Sequence, residues 1–200
     1  MKIITLSGVD GSGKSTQLAL LKARLERSGY KVAYFHAVEF SLANRLARFF
    51  RGTAETFVPG KEKAVTEASW FSLLIRKAFL VIDMLRFRLL RQTLQRREYQ
   101  YLLSDRFFYD SLINIAYLGK KPHPHTPIEV FLPPVDTAFY FDATPEMIMM
   151  RESAPEQGPA YLHDKDALFR QELTGWKMII IDADRDKDVI FQEILNKIQQ

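Results

Sequence analysis

In the stretch GVDGSGKST, Gly8 and Gly13 are separated by Val9–Ser12, and Lys14 and Ser15 follow directly. Each residue type at that spacing has a chemical use. Glycines let consecutive backbone N–H groups converge on anion oxygens without a Cβ in the way. A helix starting at Lys14 would aim its positive end at the same anion. Lys14 adds a full charge, and the Ser15 hydroxyl is an oxygen ligand for a hard cation. This spacing, between a strand and a helix, is the P-loop pattern. Its chemistry is the binding of nucleotide phosphates. The implied cofactors are ATP and Mg²⁺, cradled by Gly8, Val9, Asp10, Gly11, Ser12, Gly13, Lys14, Ser15 and Thr16.

A second group lies far along the chain. The apolar run YQYLLS leads into Asp105 and Arg106. An acid at the end of a neighbouring strand can face the P-loop and hold the water shell of Mg²⁺. It can equally cap the helix expected from Phe108. Arg106 can clamp a phosphate bidentately, or it is a solvated loop charge. Phosphate chemistry of this kind predicts Lys14, Asp105 and Arg106 as catalytic residues, with Ser15 and Asp105 at the metal.

To bring these residues together the chain needs alternating strands and helices. Lys2–Leu6, Tyr30–His36, Tyr99–Ser104, Thr137–Phe141 and Lys177–Asp182 read as strands. Helical spacing follows Lys14 up to Gly29, spans Leu42–Phe50, and covers Phe108–Leu118 before Gly119. Pro145–Arg151 and Lys187–Ile198 read as two more helices. Residues 62–97 would make one very long helix, so a bend or break is expected inside it. GTAETFVPGKE and KKPHPHTP read as loops. This alternation predicts an α/β P-loop NTPase three-layer fold, with a five-stranded parallel sheet flanked by helices. Ligands then sit beyond the carboxyl ends of the strands.

Composition narrows the class. The chain has 200 residues, 47% of them apolar, enough for one core and one domain over residues 1–200. There is no cysteine, hence no disulfide, thiolate metal site or thiol nucleophile. Charges within Ala68–Leu90 argue against a membrane span, and no secretory signal is evident. A cytoplasmic protein is expected. Lys and Arg total 28 against 24 acids, a balance that suits an anionic small molecule. The run Arg86, Arg88, Arg91, Arg96, Arg97 reads as the solvated face of a helix, so no nucleic-acid partner is expected. His123 and His125 lack a third ligand nearby and are not read as a metal site. A GTPase would need a base-reading segment, and the Asn196-Lys197 pair lacks the aspartate that would accompany it. Trp70 and Phe71 are either core or a stacking surface for a base.

The residues resemble the thymidylate kinase family of nucleoside monophosphate kinases. The carriers are GVDGSGKSTQ, Asp105-Arg106-Phe107, Ala116-Tyr117-Leu118-Gly119, FYFDATPEMIMMR and Trp176-Lys177 with Ile181-Asp182-Ala183. The resemblance implies transfer of the ATP γ-phosphate to a nucleoside monophosphate, with dTMP the first choice. It implies that Asp10 lies near the acceptor, that Asp105 is the magnesium-linked acid and that Arg106 holds the acceptor phosphate. Arg151 would open a lid over Glu152–Lys165. Phe71, Arg76, Tyr117 and Tyr161 complete the expected acceptor contacts, and many members of the family are homodimers.

Several positions depart from the family pattern. His36–Phe40 carries Glu39 where a cation is expected, Leu118 replaces a polar residue, and neither Asp10–Ser12 nor Ser153–Asp164 contains the further arginine. Crowded phosphate charge needs cations. Lys165, Arg170 or Arg45 can substitute. The alternatives are an acceptor without phosphate, such as a nucleoside, or a nucleotide-binding regulatory protein of low activity.

Overall fold

The computed structural model describes residues 1–42, 70–121, 124, 126–151 and 155–198. The helix expected over Leu42–Phe50, the loop GTAETFVPGKE, and His123 and His125 lie, wholly or nearly so, outside the described residues, as does Arg45.

Five strands form one parallel sheet: β1 Lys2–Ser7, β2 Val32–Phe35, β3 Tyr101–Ser104, β4 Thr137–Asp142 and β5 Ile179–Asp182. Their order is β2-β3-β1-β4-β5. The helices are α1 Lys14–Arg27, α2 Ala37–Phe40, α3 Trp70–Arg96, α4 Phe108–Leu118, α5 Pro145–Met149, α6 Gly158–Glu172 and α7 Lys187–Ile198. A 3-10 turn spans Pro127–Phe131.

The strand period of two sorts successive side chains onto opposite faces. Ile3, Leu102, Ala138 and Tyr140 pack into one apolar cluster with Met84, Phe87, Phe107, Phe108 and Phe169. Ile4, Leu103, Phe139, Phe141 and Ile181 enter the other, with Leu18, Leu21, Leu25, Ile190 and Ile194 of α1 and α7. Both faces are covered, so the strands read as nearly unbroken apolar runs. This is the three-layer α/β arrangement that the alternation predicted.

Three strands start later than expected, for local reasons. Lys31 and Gln100 exchange bonds outside the regular ladder, Gln100 N to Lys31 O at 3.0 Å and Lys31 N to Gln100 Oε1 at 2.6 Å. Lys177 has φ 53, a left-handed kink that delays β5 to Ile179. The long helix runs without interruption from Trp70 to Arg96, and residues 62–69, the rest of the range in which a bend or break was expected, lie outside the described residues. No proline or glycine occurs from Trp70 to Arg96 to cause one there. Glu98, at φ 61, turns the chain out of it.

Three further elements were not expected. The four-residue α2 follows β2 directly, and His36 Nδ1 caps it by accepting from Glu39 N at 3.4 Å. The 3-10 turn follows Pro127. Much of the expected lid is regular helix, because α6 begins at Gly158 with Pro159 in its first turn.

The order of strands sets the position of the site. From β1 the chain's neighbours diverge, β3 on one side and β4 on the other. Such a switch point leaves a crevice at the carboxyl end of β1. Thr5 pairs with Ser104 and Ser7 with Tyr140, so the ends of β3 and β4 flank the residues after Ser7.

Candidate functional site

The turn after β1 depends on glycine at two places. Gly8 has φ 142, and a Cβ there would lie 2.8 Å from the Phe141 carbonyl oxygen. Gly13, at φ 93, is the N-cap of α1 and supplies no side-chain cap. The first N–H groups of α1 are thereby left to face the crevice.

Lys14 is buried. Its ammonium donates to Gly8 O at 3.0 Å, Val9 O at 2.7 Å and Ser12 Oγ at 3.1 Å. Burial lowers its pKa to about 8, opposed by Asp110, Asp10 and Asp105, while Arg106 adds to the lowering. Incoming negative charge would favour the protonated form.

Two acid partnerships flank the loop. Ser15 Oγ donates to Asp105 Oδ2 at 2.7 Å. The other oxygen, Oδ1, accepts from the Tyr34 hydroxyl at 2.8 Å, and His36 Nε2 lies 3.9 Å from it. Asp105 does not cap a helix, because the N-cap position of α4 is Phe107. On the other side, Arg106 Nη2 donates to Asp10 Oδ1 at 2.5 Å. Tyr161 Oη donates to Asp10 Oδ2 at 2.9 Å, and Lys165 Nζ donates to Tyr161 Oη at 2.7 Å. Burial would raise the Asp10 carboxyl, but Arg106, Lys165, Lys14 and the Tyr161 hydroxyl outweigh it and hold its pKa below the usual value. Burial would lower the Arg106 pKa, and Asp10, Asp110, Tyr161 and Asp105 together raise it.

Arg151 closes the loop from above. Its Nη1 donates to Gly11 O at 2.6 Å and Nη2 to Ala183 O at 3.1 Å. A cleft of about 1070 Å³ runs beneath it. The walls include the P-loop from Asp10 to Gln17, Asp105, Arg106, Arg185 and Ile190. Donor groups from loop, helix and arginine therefore converge on one cleft.

The structure brings Asp10, Lys14, Ser15, Asp105, Arg106, Arg151 and Tyr161 to this region. Tyr117 reaches it through Tyr161, with the rings edge to face at 5.3 Å. Phe71 is 57% exposed, and among the described residues its ring contact is with Trp70 rather than with the site. Arg76 is half-buried on α3 and makes no hydrogen bond or ion pair with the site residues among the described residues. Of the substitute cations, Arg170 is spent on Asp142 and Asp166, each at 2.6 Å. Lys165 is the one joined to Asp10 through Tyr161.

Two site residues escape a reading of the sequence. Tyr34 sits on β2 and meets Asp105 only because β2 pairs with β3. Asp110 accepts from Ser7 Oγ at 2.8 Å and from Phe107 N at 2.9 Å. Burial raises its pKa, opposed by Lys14, Ser7, Phe107 N and Arg106. The available signal was an acid in the first turn of the helix expected from Phe108, which reads as a cap.

No protein-family model and no curated sequence matches the chain. Solved structures do. The Candida albicans thymidylate kinase superposes with TM-score 0.67 at 16% identity, over 99% of this chain and 91% of that one. The Ehrlichia chaffeensis thymidylate kinase superposes with TM-score 0.61 at 18% identity, over 100% of this chain and 98% of that one. This chain has the thymidylate kinase fold. Its sequence has diverged far from both, and the likeness is one of architecture. The thymidylate kinase fold accounts for the five parallel strands and for the P-loop lying at the switch point. Among the described residues no helix is long and apolar enough to cross a membrane.

Proposed function

We propose that this protein is an ATP- and Mg²⁺-dependent phosphotransferase that moves the γ-phosphate of ATP to a nucleoside monophosphate, with dTMP the first acceptor to test. One observation carries the reading. The P-loop is bracketed by two partnerships, Ser15 with Asp105 and Asp10 with Arg106, and all four residues line one cleft. The first pair suits a metal-bound donor phosphate and the second an anionic acceptor.

The oxygens of Ser15 and Asp105 are hard ligands, and Mg²⁺ commonly takes one or two protein oxygens and completes its shell with phosphates and water. When bound, the ion neutralises developing charge on the phosphates. Lys14 and the loop amides hold the β- and γ-phosphates. Arg151, anchored on Gly11 and Ala183, supplies a guanidinium above them. Arg106 orients the acceptor, and Asp10 fixes the plane of that guanidinium. Rate then comes from positioning and electrostatics, without a covalent intermediate. The fold similarity to thymidylate kinases supports the reading.

A coupled ADP-release assay tests it, across dTMP, dUMP, other nucleoside monophosphates and free nucleosides. The C. albicans enzyme is described as broad in substrate specificity, which is a reason for a wide panel. The expected result is turnover on a monophosphate well above the acceptor-free background. Turnover on nucleosides alone would replace the acceptor class, and ATP binding without turnover on any acceptor would leave a nucleotide-binding protein.

A further inference from the structure

Lys165 lies one turn beyond Tyr161 on α6, with its Nζ 4.7 Å from the centre of the Tyr161 ring. An ammonium has three donors and no acceptor. Its bond to Tyr161 Oη therefore makes the hydroxyl the acceptor, and the hydroxyl proton is directed to Asp10. Asp10 in turn takes Arg106. The series Lys165, Tyr161, Asp10, Arg106 thus sets two cations against one carboxylate.

A charge on Lys165 is costly where the side chain is desolvated. Burial lowers the Lys165 pKa and Arg106 adds to the lowering, while Asp10 and Asp110 oppose it. A neutral donor could brace Tyr161 without this cost, so the charge calls for an anion. Asp10 and Arg106 line the cleft, whereas Tyr161 and Lys165 are not among its walls. Lys165 joins the site through Tyr161 and Asp10. Among the described residues Lys165 donates only to Tyr161, and one Arg106 nitrogen donates only to Asp10. Both side chains keep further N–H groups for a ligand.

We propose that Lys165 is the second cation for the phosphate of a nucleoside monophosphate acceptor, acting with Arg106 in place of the arginine that Ser153–Asp164 lacks. This rests on the monophosphate reading. A phosphate dianion entering beside Arg106 brings negative charge to both cations. It takes hydrogen bonds from Lys165 while Tyr161 keeps its bond to Asp10.

Calorimetric titration of dTMP, thymidine, ADP and ATP into wild type, Lys165→Gln, Lys165→Met and Tyr161→Phe tests the proposal. Lys165→Gln keeps a donor for Tyr161 and removes only the charge, which guards against misfolding of the apolar variant. Losing a hydrogen bond between charged groups is expected to weaken dTMP binding about ten- to a hundredfold in both Lys165 variants. Thymidine, ADP and ATP should bind as in wild type. An unchanged dTMP affinity in Lys165→Gln overturns the proposal. So does an equal loss for dTMP and thymidine, or a loss in Tyr161→Phe matching that of the lysine variants, since either makes Lys165 a brace. A loss for ATP alone would assign Lys165 to the donor side and overturn it too. If wild type itself binds thymidine as tightly as dTMP, the monophosphate reading fails, and that failure is visible before any variant is compared.

Discussion

The Ser15 hydroxyl donates to Asp105 Oδ2 at 2.7 Å across 90 residues of chain. The bond exists because β1 and β3 are adjacent and parallel, with Thr5 opposite Ser104. Asp105 directly follows β3, and Ser15 lies in the first turn of α1 after the Gly-rich loop that leaves β1, so both arrive at the same end of the sheet. Tyr34 holds the second oxygen of Asp105 and limits how that carboxylate can rotate. Asp105→Asn should raise the Mg²⁺ concentration needed for ATP to stabilise the protein thermally, by roughly ten- to a hundredfold if one charge-assisted contact is lost. A melting series over Mg²⁺ at fixed ATP checks this, and an unshifted midpoint would remove Asp105 from the metal.

Lys14→Met tests the donor site by itself. The side chain is buried against the carbonyls of Gly8 and Val9, so methionine fills its volume without its charge. Bound ATP should raise the wild-type melting temperature, as any ligand of the native state does. The variant should lose that rise. A full ATP-dependent rise in Lys14→Met would count against the P-loop as the phosphate site.

Asp10 makes stability depend on pH in a defined direction. Its folded pKa lies below the ordinary value of 3.8: burial raises it, but Arg106, Lys165, Lys14 and Tyr161 more than offset that. The unfolded chain therefore binds its proton at higher pH than the folded chain does. The contribution of Asp10 is present in full above the unfolded pKa and is lost as pH falls through the folded one. Urea unfolding of wild type and Asp10→Asn from pH 6 to pH 2.5 should show the wild-type advantage shrinking below about pH 4. A gap independent of pH over that range would contradict the assignment.

Asp83 carries the segment after β2. It is 2% exposed, accepts from Leu42 N at 3.1 Å through Oδ2, and takes Arg86 Nη1 at 2.6 Å through Oδ1. Arg86 also donates to Phe40 O at 3.1 Å. Asp83→Ala leaves a guanidinium and an amide without their acceptor. Breaking a buried pair in this way costs about 3 kcal/mol, which chemical denaturation can read directly. Asp83→Ala within experimental error of wild type would show that the tether carries no weight.

Two glycines with positive φ separate conformational strain from steric collision. At Gly8 a Cβ would meet the Phe141 carbonyl oxygen at 2.8 Å, whereas at Gly29, φ 86, nothing lies within 4 Å. Gly29→Ala should cost about 1–2 kcal/mol, the left-handed penalty alone. Gly8→Ala should lose more, because β1 and β4 cannot move apart without breaking their ladder. Melting temperatures compare the two, and equal losses would refute the close approach.

Much of the architecture was legible as pattern. Strand-length apolar runs alternating with helical spacing describe a sheet covered on both faces, and the Gly8–Ser15 spacing marks the turn at its centre. Strand starts were less legible, because Lys31, Gln100 and Lys177 alter local backbone geometry through contacts and kinks that the residue types do not announce. The run from Trp70 to Arg96 contains no proline or glycine, so nothing in it interrupts the helix.

The sequence by itself determined the Gly-rich loop between β1 and α1, because that loop is local. Its glycines, lysine and serine are neighbours in the chain, and covalent spacing alone brings their amides and side chains together. Tertiary structure alone decided the partners. Packing sets Asp110, in the first turn of α4, against the Ser7 hydroxyl, 103 residues away in the chain. Tyr34 reaches Asp105 through the pairing of β2 with β3. Lys165 was one cation among three until α6 folded over the loop and its charge joined Asp10 through Tyr161, while Arg170 on the same helix was taken up by Asp142 and Asp166. Charge acts through space at distances of a few ångströms, and residues distant in sequence come that close only when the strands and helices that carry them pack.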